Sequence, residues 1–552
     1  MQTLEAIHRR VLNRTCRVHG SACGMRNRQG KVSRQSRLKY YREVSTTSAS
    51  SSPPSHVVVL GAGISGLTSA FYLQRRYPDT KITVLEEQKR IGGWIKTNTV
   101  DLGSEYGRVV LETGPRTLRA VSHELLELVN LLQLQSQLVL TPKSSPAATK
   151  RYLHLSKPDG NGLKALPSSP LNLFVSPFFF TLVSSVILER YWPANRILPI
   201  KVPEDDKEAM SLQMKVYDDE SVDSFLTRRF GEKVARLLGS ALVHGVYAAD
   251  SRVLSLRASF PSLWDAEDRG RGSVIGGILR AKKEVKDSLL DTGDMLKIMS
   301  DVSVFSFRNG ISAIPDALER VLSASPSTNI RLSTKVNSIQ PSGDGFLVRL
   351  QTGETVSASH LISALPLHIL GGLVPPNQSL PHLNFNPSST VQVINFVFAC
   401  SRADLHPEGF GYLKPRPANG YDGPDRGILG TVFDSCALSD QDTAGSKPIT
   451  KVTVMCGGPY SHSTSNLSVD RILDELFIHL GKKRMEPIHV EVHEQRDCIP
   501  TPLVGHLERM DHLRRILREE PWNGRLQVIG AGVNGAGIAD CVQAARAGAF
   551  GV

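Results

Sequence analysis

Three glycines, Gly61, Gly63 and Gly66, spaced G-x-G-x-x-G around Ala62, Ile64 and Ser65, are the residues best suited to chemistry in this sequence, and that chemistry is the binding of a pyrophosphate. Gly61 permits a tight turn, Gly63 lets a backbone approach phosphates with no Cβ in the way, and Gly66 allows a helix to pack closely on a strand. Glu86 stands twenty residues beyond Gly66, where a carboxylate can bind the ribose hydroxyls of an adenosine. After it, Glu87-Gln88-Lys89-Arg90-Ile91-Gly92-Gly93-Trp94 offers a second glycine turn that brings backbone and Arg90 alongside the same ligand.

These residues need a strand and a helix to hold them, and the sequence supplies both. His56-Val57-Val58-Val59-Leu60 is a short β-branched run, Leu67 to Leu73 continues as a helix, and Lys81 to Leu85 gives a second strand ending at Glu86. The helix N-terminus then faces the phosphates with unpaired amides and a favourable dipole. The E-x-x-x-R-x-G-G extension from Glu86 to Gly93 resembles that of glutathione-reductase-like and amine-oxidase-like FAD domains, so the expected cofactor is FAD, one per subunit and non-covalently held.

A second fingerprint, Gly530-Ala531-Gly532-Val533-Asn534-Gly535, follows Leu526 to Ile529. Too little chain remains beyond Gly535 to complete a second βαβ unit with its acidic residue. We expect a returning strand and helix of the same FAD fold, with the amides of Gly535, Ala536 and Gly537 facing the flavin. Asn329 to Ile339, Phe346 to Gln351 and Glu354 to Leu365 read as three further strands of that fold.

The expected architecture is α/β: a Rossmann-like FAD-binding domain, a mixed-sheet substrate domain and a mainly helical membrane-docking insertion. The expected segments are 1–54 (transit peptide and linker), 55–140, 301–366 and 520–552 (FAD domain), 141–300 (insertion) and 367–519 (substrate domain). The net charge of +12 is concentrated at one end. Nine arginines and two lysines precede position 43, against Glu5 and Glu43, which leaves 54 basic and 51 acidic residues elsewhere. This excludes a nucleic-acid-binding surface as the reason for the charge. An Arg-rich, acid-poor stretch running into the Ser/Thr tract Ser45 to Ser52 reads as a mitochondrial transit peptide. Seven cysteines without a C-x-x-C pair imply neither a disulfide framework nor a metal site.

Pro170 to Trp192 is the most apolar stretch, but Pro177 interrupts it and Arg190-Tyr191-Trp192 suits an interface. Monotopic docking on a membrane is the favoured reading, with a buried helix or a true span as alternatives. Arg269 to Lys297 is a Gly/Lys/Arg-rich helical stretch that suits either anionic lipid or a solvated face.

Beyond these features, G-G-W-I at Gly92 to Ile95, E-T-G-P-R at Glu112 to Arg116, S-V-D-S-F-L-T-R-R-F-G at Ser221 to Gly231, and the S-x-x-A-S-F-P-S-L-W-x-A-E region ending at Glu267 resemble the oxygen-dependent protoporphyrinogen oxidase family. So do F-R-N-G-I-S-A-I-P-D-A-L from Phe307 and G-F-G-Y-L from Gly409. The resemblance implies oxidation of protoporphyrinogen IX by dioxygen, with hydrogen peroxide as co-product, on the outer face of the mitochondrial inner membrane. It further implies a homodimer and ferrochelatase as a partner. Carried over by position, FAD contacts fall on Gly61, Ala62, Gly63, Ile64, Ser65, Gly66, Glu86, Glu87, Arg90 and Trp94. They continue at Gly114, Pro115, Arg116, Thr117, Val336, Gly530, Gly535, Ala536 and Gly537. Phe410, Gly411, Leu413 and Met455 fall in the substrate pocket, with Arg151 pairing a propionate. No general base is assigned, because the flavin accepts the hydride.

Thr117 stands where relatives often carry glycine, and the chain stops at Val552, soon after its final helix, so a shortened C-terminus is expected. Two rival readings share the scaffold. A flavin amine or polyamine oxidase would keep Gly61 to Gly93 but resembles G-G-R where this chain has Trp94. A non-catalytic escort-type binding protein would not need the complete fingerprint.

Overall fold

Val57, Val58 and Val59 have no exposed surface, as a strand covered on both faces requires. In the computed structural model, which describes residues 53–167, 218–281, 290–421, 427–460 and 468–551, His56–Leu60 is the middle strand of a five-stranded parallel sheet. The order across that sheet is Thr328–Arg331, Lys81–Leu85, His56–Leu60, His360–Ser363 and Leu526–Val528. All these residues lie in one unit, Tyr41–Val552.

Helix Ile64–Arg76 covers one face of the sheet and packs against the last helix, Ile538–Phe550, through a core that includes Leu67, Phe71, Val542 and Ala545. The second fingerprint therefore does return to the first: Leu526–Val528 pairs in parallel with His360–Ser363 at the edge of the same sheet. The middle segments divide more finely than expected. Thr328–Arg331 belongs to the parallel sheet, but Val336–Ser342, Gly345–Leu350 and Thr355–Ala358 form a separate antiparallel sheet. The breaks fall at Ser333, held at φ 51, and at Ser359, whose hydroxyl donates to His56 O (2.9 Å).

A seven-stranded mixed sheet forms the second layer, in the order His489–Pro500, Ser388–Phe398, Thr450–Gly457, Ile428–Val432, Gly411–Leu413, Tyr152–Leu155, Gly162–Ala165. Its last two strands come from the 141–300 stretch expected to be mainly helical, so that stretch begins as part of this sheet. One face buries Ile394, Phe396, Val452, Val454 and Cys456 against helix Val469–Leu480. Full burial of each large side chain stabilises the fold by roughly 1.5–3 kcal/mol.

From residue 218 the insertion is helical, with Val222, Phe225, Val243, Tyr247 and Trp264 in its core. Arg228 pairs with both Glu220 and Glu267, which it meets at 2.7 Å, and Arg229 pairs with Glu267; all four side chains are buried. Asp219 accepts from Ser255 Oγ (2.7 Å) and Gly505 N (2.8 Å), tying the insertion to the start of helix His506–Arg518. The motifs at Ser221 to Gly231 and Ser255 to Glu267 thus serve structure. Among the described residues no helix is long and apolar enough to cross a membrane. The N-terminal basic segment and the apolar stretch Pro170 to Trp192 lie outside the described residues.

Candidate functional site

The chain turns sharply at Gly61, at φ +93, where Gly61 N donates to Leu85 O (2.8 Å). A Cβ on Gly66 would stand 1.9 Å from Gly61 O, so only glycine allows helix Ile64–Arg76 to sit this close. A Cβ on Gly63 would meet nothing nearer than Gly93 Cα at 3.9 Å; the space there is kept free of protein. The helix has no side-chain cap and no acid in its first turn, so its amides are left for an anion. Glu86 accepts from Ala62 N (2.7 Å) and Gln88 N (2.8 Å), which fixes its carboxylate beside the turn with lone pairs remaining for ribose hydroxyls.

The second glycine turn zips onto the first: Gly92 N donates to Ala62 O (2.9 Å). Arg90 donates to the carbonyls of Ile91, Gly93 and Ile95 at 2.6–3.1 Å, so it shapes this turn from within. Burial holds the Arg90 guanidinium below its ordinary pKa. Trp94 is 40% exposed, and its carbonyl lies against Gly114, where a Cβ would come within 2.7 Å. Ser333 N donates to Gln88 O and Thr334 N to Glu86 O, and this carries Val336 toward the Glu86 end of the turn. Glu87 pairs with Lys335 at the surface (2.8 Å). Gly530, at φ +112, stands 3.8 Å from Ser65 Oγ by its Cβ position, and Gly537 caps the final helix, with its amide donating to Asp540 (3.3 Å). The glycines of both fingerprints therefore gather at the carboxyl ends of the parallel strands, where such sheets bind ligands. A groove floored by amides, with an acid at one end, fits an extended dinucleotide.

Strand register places the expected substrate residues together. Gly430 pairs with both Leu413 and Met455, Met455 pairs with Val393, and Leu153 pairs with Leu413. Residues in register share a face, so Leu413 and Met455 stand on the side of the seven-stranded sheet opposite its helix-covered core. Gly411, two residues before Leu413 and so on the same face, pairs with Val432, and a Cβ there would meet Thr431 O at 2.1 Å. Arg151 precedes Tyr152–Leu155 at the edge of this face, its guanidinium 5.9 Å from the Phe410 ring centre.

The same face reaches back to the loop that follows strand Gly107–Glu112. Asn395 Nδ2 donates to Glu112 O (3.1 Å), and the Thr453 hydroxyl sits between Asn395 Oδ1 (2.6 Å) and Asp434 Oδ2 (2.7 Å). Asp434 pairs with Arg116 at 3.0 Å, both buried. The Arg116 side chain thus grips the seven-stranded layer and ties the loop Gly114 to Thr117 to it. A cavity of about 10 Å³ among Glu112, Asn395, Gln441, Lys451 and Thr453 has room for about one water. Asn395, Thr453 and Asp434 were not anticipated. The available signal was the alternation Lys451-x-Thr453-x-Met455 against Val452, Val454 and Cys456: a polar row on a strand with no solvent to face.

Burial pushes the Glu112 carboxyl up to about 7, against hydrogen bonds from Ile311 N (2.7 Å) and Thr97 Oγ1 (2.8 Å). A raised folded-state pKa favours the native state at low pH. The penalty for ionising Glu112 is absent below its unfolded value of 4.5, grows as pH rises, and levels off above about 7. It amounts to about 3 kcal/mol at most. Glu112→Gln keeps the shape and is expected to flatten the fall in thermal midpoint between pH 4.5 and about 7; an unchanged slope would show that Glu112 does not titrate there.

Residues 64–550 match the model of the flavin-containing amine oxidoreductase family. The chain belongs to that family. Among relatives, human protoporphyrinogen oxidase is 31% identical over 516 residues, covering 90% of this chain and 98% of the human protein. The Schizosaccharomyces pombe protoporphyrinogen oxidase is 30% identical over 512 residues, covering 88% and 96%. Coproporphyrinogen III oxidase of Bacillus subtilis is 25% identical over 502 residues, covering 89% and 96%. A crystal structure from Exiguobacterium sp. 255-15 superposes with a TM-score of 0.66 at 22% identity, over 89% of this chain and 97% of that one, and shows the shared fold. Membership of this flavin-containing family makes the cofactor of the glycine groove a flavin.

Proposed function

We propose that this chain is an FAD-dependent protoporphyrinogen oxidase, removing six electrons from protoporphyrinogen IX to give protoporphyrin IX in the penultimate step of haem synthesis. The observation that carries the proposal is the sheet face bearing Leu413, Met455 and Gly411, edged by Phe410 and Arg151 and hydrogen-bonded to the flavin-side loop through Asn395. A flat, largely apolar ligand with carboxylates suits such a face. The relatives named protoporphyrinogen oxidase support this substrate over an amine. A bound FAD supplies acceptance of a hydride from a meso carbon and delivery of the electrons to dioxygen, which leaves as hydrogen peroxide. The protein's part is to hold the macrocycle on the sheet face, anchor its carboxylates and keep the loop at Gly114 in place.

Oxidation assays with protoporphyrinogen, coproporphyrinogen and a panel of amines test the reading directly. Porphyrin fluorescence from protoporphyrinogen, with no peroxide from amines, is expected; the reverse pattern would overturn it. Arg151→Ala is expected to raise KM about tenfold or more while flavin content stays constant, since it removes a charge-assisted contact and no cofactor contact. An unchanged KM would remove Arg151 from the pocket.

The same proposal holds the FAD non-covalently, one per subunit of a homodimer. Residues 1–54 direct the chain to mitochondria, where Pro170 to Trp192 docks it on the intermembrane-space side of the inner membrane, within reach of ferrochelatase. Import into isolated mitochondria is expected to shorten the chain, and carbonate extraction to leave it with the membranes. Failure of the first would remove the targeting reading, and full release in the second the docking.

A further inference from the structure

Arg119 ends the short strand Leu118–Arg119 and lies opposite Val304, which in turn lies opposite Thr141. Cross-strand neighbours share a face, so Arg119, Val304 and Thr141 stand on one side of this small sheet. Thr141 Oγ1 donates to Ala437 O (2.9 Å), and Ala437 packs with Ala147 and Phe410. That side is therefore turned toward the Phe410 wall. Arg151 reaches the same wall from the seven-stranded sheet, with Phe410 N donating to Lys150 O (3.0 Å).

The two guanidiniums act on one another. Arg151 is held below its ordinary pKa, first by loss of hydration and then by the charge of Arg119. Among the described residues no carboxylate pairs with either. The carboxylates of the adjoining loops are committed elsewhere, Glu408 to Lys150 (3.0 Å) and Asp434 to Arg116. Both arginines are partly covered by their neighbours yet keep surface in solvent, where an incoming ligand can reach them. Two like charges near enough to act on one another cost free energy that a dianion relieves, and a guanidinium fork suits a carboxylate.

We propose that Arg119 and Arg151 form a two-cation clamp for two carboxylates on one edge of a flat macrocycle, which makes Arg119 a second substrate-anchoring and specificity-determining residue. The inference rests on the substrate class proposed above, since protoporphyrinogen IX carries its two propionates on neighbouring rings. One arginine fixes a point; two fix which edge of the macrocycle faces outward.

The test uses the intact flavoprotein and two stable fluorescent probes, mesoporphyrin IX and its dimethyl ester, with the KM for protoporphyrinogen measured in parallel. Arg119→Ala and Arg119→Gln are expected to weaken the diacid about tenfold or more and to leave the ester within about twofold, because only the diacid offers charged acceptors. Flavin content stays constant, KM rises more than kcat falls, and Arg119→Lys recovers part of the loss. Equal weakening of diacid and ester, or an unchanged diacid, would overturn the clamp while leaving the porphyrinogen reading intact. A wild-type protein that bound neither probe and oxidised no porphyrinogen would remove the substrate class and the clamp together.

Discussion

Gly63→Ala is expected to give a folded but colourless protein. The added methyl would meet only Gly93 Cα, at 3.9 Å, so the fold loses nothing, yet it fills the one place where backbone must approach a pyrophosphate. Gly66→Ala fails differently. Its methyl would stand 1.9 Å from Gly61 O and 3.3 Å from Val59 Cγ1, so the turn and the helix must separate. Overpacking of this kind costs about 1–3 kcal/mol of stability, and flavin affinity falls with it. Visible absorbance after purification, with thermal midpoints for both variants, separates the two cases. Retained colour in Gly63→Ala would mean that the flavin does not cross this turn.

Asp434→Ala is expected to destabilise the protein by about 3–5 kcal/mol, because it leaves the Arg116 guanidinium buried without its counter-charge. Arg116 already has one buried nitrogen, Nε, with no partner, so the site has little spare capacity to satisfy it. The Thr453 hydroxyl loses an acceptor in the same change. Arg116→Leu combined with Asp434→Ala is expected to recover much of the loss, since replacing both partners of a buried pair costs far less than removing one. Denaturant midpoints of the two single variants and the double variant measure this. Additive losses would show that the pair is not coupled and that the loop at Gly114 is held by other contacts.

The parallel sheet was legible because its physics is local. A β-branched run, a turn that only glycine can make and a helix fall within His56 to Arg76, and Lys81 to Glu86 completes the unit. The late fingerprint was assignable to the same fold because too little chain followed it. The middle strands were harder. Asn329 to Ile339 reads as one strand, and the break at Ser333 depends on that residue reaching Gln88 O, a contact that no local pattern announces. Tyr152–Leu155 and Gly162–Ala165 are four residues each, too short to stand out; the first gains its identity by pairing with Gly411–Leu413, more than two hundred residues away, and the second by pairing with the first. The fate of Arg116 was hidden for the same reason. A G-P-R motif shows that a cation stands in this loop, but the ion pair its side chain makes is with Asp434, 318 residues on in sequence. Residue type shows what chemistry is available; long-range register decides what each side chain meets.

The account as a whole is tested most directly by mixing the purified yellow protein with protoporphyrinogen in the absence of oxygen. Loss of the flavin's visible absorbance is expected on mixing, with its return on admission of air accompanied by porphyrin fluorescence and hydrogen peroxide. A flavin left oxidised by protoporphyrinogen but bleached by an amine would contradict the account.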